Sequence, residues 1–121
     1  MNRTQILGLA GLAIAAVTTG CASTTPASVA LAQDAIVIDV RTAPEYASGH
    51  LEGAVLLDVS SGDLAAALPS LDPDTPYFVH CRSGSRSAQA VALMREAGFT
   101  DVTDLGALES ASAATGLAIE R

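Results

Sequence analysis

Apolar residues fall along the chain in short runs separated by polar turns, and the runs alternate between two spacings. Residues 35–40 (AIVIDV), 55–57 and 77–79 are compact, rich in β-branched or aromatic side chains and bounded by turn formers. That is the pattern of strands buried on both faces of a parallel sheet. Elsewhere the spacing is helical: Ala88, Val91, Ala92, Met94 and Ala97 predict a helix over 85–97, stopped by Gly98. Thr42, Pro44 and Glu45 form the capping box of a short helix running to about Ser48. Ser60 and Ser61 are placed to cap another over 63–68, and the turn-rich stretch 69–76 follows. A further strand is expected over 99–105, after which Gly106-Ala107-Leu108 opens a last helix to about Ala114. Strands alternating with helices imply right-handed crossovers and a three-layer α/β/α fold around a central parallel sheet of about five strands.

The first 21 residues stand apart from this pattern. Arg3 and the free amine precede a twelve-residue apolar run, 6–17, followed by Thr18, Thr19, Gly20 and Cys21. Such a run matches the apolar segment of an export signal and falls short of a bilayer span. The small residues leading into Cys21 resemble a bacterial lipoprotein signal, in which cleavage leaves the cysteine as the lipidated first residue. Thr18 stands where that signal usually has Leu, which leaves ordinary cleavage nearby, or an uncleaved anchor, open. Residues 22–33, mostly Ser, Thr, Ala and Pro, read as a tether with a helical turn at 29–33, and 34–121 as the folded domain. The expected location is the cell envelope, anchored to a membrane and facing the periplasm or exterior.

Composition narrows the function. A chain of 121 residues supports one domain with one core, and with 3% aromatics and no Trp that core is built from Ala, Val, Leu and Ile. The formal net charge is −7, with only six cationic residues, all arginine. Nucleic acid is excluded as a partner, because binding a phosphate backbone needs clustered cations that exist here only near Cys81. Two cysteines far apart, His50 and His80 offer no metal-ligand spacing, and no cofactor is implied. Once Cys21 is lipidated or lost with the signal, Cys81 is a solitary thiol in an exported protein, which flags reactivity or intermolecular pairing.

Cys81 sits where the predicted strand at 77–79 gives way to the predicted helix over 85–97. A helix start presents unpaired N–H groups and a partial positive charge, so the intervening loop is an anion cradle. Arg82 and Arg86 add fixed charge, and positive surroundings at a helix start depress a thiol pKa. Ser83, Ser85 and Ser87 suit a loop whose amides point inward, and Gly84 can take the positive φ that such a nest needs.

HCRSGSRSA, from His80 to Ala88, resembles the active-site signature of rhodanese-like sulfurtransferases, in which a Cys opening a six-residue loop carries a persulfide. Asp39-Val40-Arg41 is similar to that family's first landmark and Gly49-His50-Leu51-Glu52-Gly53-Ala54 to its second. The resemblance implies that Asp39 and Arg41 tie the loops around the site together, that His50 orients its surroundings, and that Arg82 to Ser87 bind the substrate. It covers residues 34–117. The family usually has two adjacent glycines and a nearby Trp where this chain has Gly106, Ala107 and no Trp, which bears on the packing of the last helix.

The activity so implied is transfer of a sulfane sulfur through Cys81, from a small anionic donor such as thiosulfate to a thiophilic acceptor, cyanide or a thiol. Two alternatives stay open: a non-catalytic or carrier module that binds a partner or relays sulfur, and a Cys-based phosphatase or arsenate reductase. The phosphatases use a cradle one residue longer than the Cys81–Arg86 loop. An exported thiolate also implies a reducing thiol partner.

Overall fold

The computed structural model describes residues 30–121, so the expected signal, Cys21 and most of the tether lie outside the described residues. The N-terminal edge of that region shows a single turn, in which the Ala35 amide donates to the Ala32 carbonyl at 3.0 Å.

In chain order the elements are β1 (Ile36–Asp39), α1 (Ala43–Ser48), β2 (His50–Leu51), β3 (Val55–Leu56), α2 (Asp63–Ala67), a 3-10 turn (Leu68–Ser70), β4 (Tyr77–Cys81), α3 (Ser85–Glu96), β5 (Val102–Ala107), α4 (Leu108–Thr115) and β6 (Ile119–Glu120). Four strands form the central sheet in the order β3-β1-β4-β5, all parallel. The expected fold class is therefore present with four sheet strands instead of about five. β2 and β6 pair antiparallel in a separate two-stranded ribbon.

Strand alternation divides the core into two layers, one on each sheet face. Ile38, Val40, Tyr77, Val79, Cys81 and Val102 pack with Leu64 of α2 and with Ala90, Val91 and Met94 of α3. Val37, Phe78 and Leu105 pack on the opposite side with Leu51, Ala111 of α4 and the partly buried Tyr46 of α1. Asp39 and His80 follow Val37 and Phe78 at the two-residue period, and the parallel register pairs them. Two polar groups thus meet inside the second layer, at the carboxyl ends of the central strands. Ligands of open α/β sheets bind beyond those ends.

Several boundaries differ from expectation for local reasons. The buried stripe of α3 is Ser87, Ala90, Val91 and Met94, while Ala88, Ala92 and Ala97 face solvent. Val91 and Met94 of the expected set are buried, while the three alanines are not; Ser87 and Ala90 take their places because the packing on β4 sets the helix's rotation. Gly62 stands at the N-cap of α2, and Ser61, one residue earlier, takes part as expected, its Oγ accepting from the Asp63 amide at 3.4 Å; the Ser60 and Ser61 amides donate to the Asp58 carboxylate at 2.8 and 3.3 Å. β5 begins at Val102 and runs on through Gly106 and Ala107, which belong to the strand and not to α4. A register shift opposite Val79 and His80 lets it do so. Phe99, expected in the strand, is buried ahead of it with its ring edge against Tyr77. Ala107 has ordinary extended dihedrals, φ −75° and ψ 159°, so a second glycine is not required there. Among the described residues no helix is long and apolar enough to cross a membrane.

Candidate active site at the Cys81 loop

β4 delivers Cys81 to the sheet edge, and α3 starts at Ser85. Gly84, between them, has φ +107° and ψ −19°. A Cβ there would come no closer than 3.8 Å to the Gly106 Cα, so it is the left-handed backbone and not lack of space that calls for glycine. That conformation turns the Gly84 N–H onto the Cys81 Sγ at 2.9 Å. Ser87 heads the buried stripe of α3 and therefore faces the same sulfur: its Oγ lies 3.5 Å from Sγ and 3.0 Å from the Gly84 carbonyl, so the rotating hydroxyl can donate to the carbonyl or, once the thiol ionises, to the sulfur. Cys81 and Ser87 are both fully buried.

Burial pushes the Cys81 thiol up, but the Ser87 hydroxyl and the amides of Ser87, Gly84 and Ser83 outweigh it and leave the thiol below its ordinary value of 9.0. The expected source of this effect, the two arginines, is replaced by hydrogen bonds. Arg86 is committed elsewhere: its Nη1 and Nη2 donate to the Glu45 Oε1 and Oε2 at 2.7 and 2.9 Å. Arg82 is exposed and has no ion-pair partner among the described residues.

Glu45 sits in α1 and does two things with one carboxylate. Its Oε1 accepts from the Thr42 amide at 3.3 Å, completing the expected capping box, and from the Thr42 hydroxyl at 3.0 Å. The same carboxylate receives Arg86, and that bond, with those from Thr42, holds Glu45 down at about 2 against the opposing effect of burial. On the other side of the loop Ser83 bridges to Ala107 at the end of β5. The cysteine loop is thus clamped between α1 and β5.

Behind it lies a buried polar cluster. Arg41 donates through Nε and Nη2 to Asp39, the shortest contact 2.7 Å, and through Nη2 to the Gly49 carbonyl at 2.6 Å. These bonds link β1 to the turn after α1. His80, fully buried, places its Nε2 3.8 Å from Asp39 Oδ2, beyond hydrogen-bonding distance, and that nitrogen has no partner among the described residues. Burial pushes its pKa down despite the nearby carboxylate, which favours the neutral ring. His50 stands apart, stacked on Tyr46 at 3.9 Å with Nδ1 on the Tyr46 carbonyl at 2.9 Å and Nε2 3.6 Å from Glu120.

A cleft of about 410 Å³ opens beside the loop, lined chiefly by Arg41, Glu45, Arg82, Leu108, Glu109 and Arg121. Cys81 is not among its walls, but the next residue is. Of the residues singled out in sequence, Cys81, Ser83, Gly84 and Ser87 gather around the sulfur, Ser85 is exposed, and Arg86 turns to Glu45. Sequence reading missed Glu45 as a partner of the loop and missed Glu109 and Arg121 altogether. The capping box marked Glu45, but only as a helix cap; nothing local ties 109 or 121 to residue 82.

An α/β sheet with a strand, a tight amide-lined cysteine loop and a helix at its carboxyl edge defines a class of anion-handling cysteine domains. Residues 25–110 match the rhodanese-like domain family, and the chain belongs to it. It is 38% identical over 73 residues to the thiosulfate sulfurtransferase GlpE of Pseudomonas fluorescens, a match covering 60% of this chain and 65% of that protein. Among solved structures, a rhodanese-like domain from Anabaena sp. superposes with a TM-score of 0.61 at 30% identity, covering 71% of this chain and 98% of that one. A rhodanese with anions from E. coli gives 0.55 at 31% identity, over 63% and 89%.

Proposed function

We propose that this domain moves a sulfane sulfur from an anionic donor such as thiosulfate to a thiophilic acceptor through a persulfide on Cys81. The observation that carries this reading is the Gly84 amide 2.9 Å from Sγ, backed by the other donors that favour the thiolate. The thiolate attacks the outer sulfur of thiosulfate; a new S–S bond forms as the bond to sulfite breaks, and sulfite leaves with the electron pair. The terminal sulfur then carries the negative charge, and inward-pointing amides of the loop are the groups to stabilise it. The acceptor attacks that terminal sulfur, and Cys81 leaves as the thiolate it began as. The similarity to GlpE supports thiosulfate as donor.

The roles of the arginines follow from their partners. Arg82, exposed and unpaired among the described residues, draws the anionic donor in, whereas Arg86 holds the loop's shape through Glu45. Four residues separate Cys81 from Arg86, and this short ring with its arginine already paired argues against phosphoryl or arsenate chemistry.

One observation favours a second reading. Cys81 exposes no surface and does not line the cleft, as suits a carrier module charged by a partner protein that displaces the loop. Steady-state turnover of thiosulfate and cyanide separates the two: the enzyme reading expects turnover in the wild type and none in Cys81→Ser, whereas a persulfide-bearing wild type without turnover selects the carrier. We also propose that Cys21 carries lipid and holds the domain in the cell envelope; metabolic labelling with a fatty acid, lost in Cys21→Ala, is the check.

A further inference from the structure

We propose that His80 is a positioning residue for sulfur transfer: by donating its Nδ1–H to the Cys81 carbonyl it fixes the next peptide plane, so that the Arg82 N–H faces the terminal sulfur of the persulfide. This rests on sulfur transfer through Cys81 and adds to that step a residue from the opposite face of the sheet.

The ring's surroundings point this way. His80 is fully buried two residues after Phe78 and shares its sheet face, while the Cys81 side chain lies on the other face with Val79 and Met94. Asp39 and Arg41 are the charged groups acting on the ring, and neither binds it. Both Asp39 oxygens are taken by Arg41, through its backbone amide, Nε and Nη2. The 3.8 Å from Oδ2 leaves His80 Nε2 without a partner among the described residues. The other nitrogen, Nδ1, lies 3.3 Å from the Cys81 carbonyl oxygen. A neutral imidazole has one N–H and one lone pair. A proton on Nε2 would set the Nδ1 lone pair against that oxygen; a proton on Nδ1 makes the contact a hydrogen bond. Arg41 already neutralises Asp39, so the nearer contact decides the tautomer. An apolar side chain here would bury no unpartnered nitrogen. The histidine is costly where it stands, and among the described residues its ring bonds only the carbonyl of the nucleophile.

The consequence runs through one peptide plane. The described chain has no cis peptide bond, so across Cys81–Arg82 the N–H points opposite to the C=O. With the carbonyl turned to the ring on one sheet face, the Arg82 N–H is turned to the other, where Sγ lies. Ser83, Gly84 and Ser87 already serve the thiol; Arg82 does not, and its N–H is left for the sulfur added beyond Sγ. In loading, the new S–S bond forms, sulfite leaves with the electron pair of the bond that breaks, and the negative charge of Sγ passes to the terminal sulfur. A donor fixed there stabilises it. A flipped peptide would present the carbonyl oxygen to that charge.

The test compares full-length wild type with His80→Leu, His80→Gln and His80→Asn. Asn can place its NH2 where Nδ1 stands, Gln reaches toward the place of Nε2, and Leu has no donor. Loading is followed by intact mass over a series of thiosulfate concentrations, and the thiol is titrated by its ultraviolet absorbance. Leu and Gln should lower the maximal loading rate roughly tenfold, the loss expected for one hydrogen bond to a charged group. Half-saturation and the thiol titration should stay unchanged, and Asn should recover most of the rate. A side chain that only fills space would leave loading unchanged when replaced, or would loosen the donors to Sγ and move the titration together with the rate. Either result, or an Asn variant as slow as Leu, overturns the inference while sulfur transfer stands. Should a variant fail to fold, the nitrogen chemical shifts of the wild-type ring still decide: protonation at Nδ1 is expected, and a ring protonated at Nε2 overturns the inference. If the wild type forms no persulfide, the sulfurtransferase reading fails and the part of His80 in it, whatever the tautomer.

Discussion

Glu45 grips Arg86 with two hydrogen bonds, of 2.7 and 2.9 Å, across 41 residues of chain. A helix cap and the far end of the cysteine loop are therefore one structural unit, and α1 sets where the loop's last residues lie. Glu45→Gln should lower the melting temperature by several degrees, since a partly exposed bidentate pair contributes about 1 kcal/mol. The folded carboxyl titrates at about 2, below its ordinary 4.5, so the pair stabilises fully above 4.5 and its contribution fades as pH falls toward 2. Thermal melts of both proteins should converge over that interval; a gap that stays constant would contradict the assignment.

The Cys81 thiol should titrate below 9.0, seen as thiolate absorbance in the ultraviolet. Persulfide formation then rises with pH through that lowered value and levels off above it, because the thiolate is the attacking species. Ser87→Ala removes one of the hydrogen bonds that oppose burial, so its curve should move to higher pH. An unmoved curve would assign the effect elsewhere.

Gly84→Ala places a side chain on a left-handed backbone at a cost of about 1–2 kcal/mol, with no clash to add to it. To escape the strain the peptide must turn, taking its N–H off the sulfur. The variant should fold, by circular dichroism, yet load sulfur several-fold more slowly. Unchanged loading would show that this amide is dispensable.

Arg41→Leu strands a fully buried Asp39 carboxylate, since burial favours the neutral form of the neighbouring His80 ring, 3.8 Å away. A loss of about 3–5 kcal/mol is expected in denaturant unfolding. Asp39→Asn combined with Arg41→Leu should cost less than Arg41→Leu alone, because the orphaned charge is then removed.

Features written in consecutive residues could be read before folding. The capping box at Thr42 and Glu45, the β4 run into Cys81, and the loop from Arg82 to Ser87 are all local, and each stands where the pattern put it. What depends on distant partners could not be read. The β2–β6 ribbon is two residues per strand, too short to show a period, and exists because the chain's end returns to His50 and Leu51. The extension of β5 through Gly106 and Ala107 follows from a register shift against β4, and the Ser83 bridge uses that extension. Above all, Arg86 looked like a free cation for substrate because its partner lies in α1; the thiol is favoured as thiolate by hydrogen bonds that only the folded loop assembles.

The most direct measurement is the intact mass of the purified domain after incubation with thiosulfate and again after cyanide. Wild type should gain the mass of one sulfur atom and then lose it, and Cys81→Ser should gain none. A wild type whose mass stays unchanged by thiosulfate, or a Cys81→Ser variant that gains the same increment, would contradict sulfur transfer from thiosulfate through Cys81.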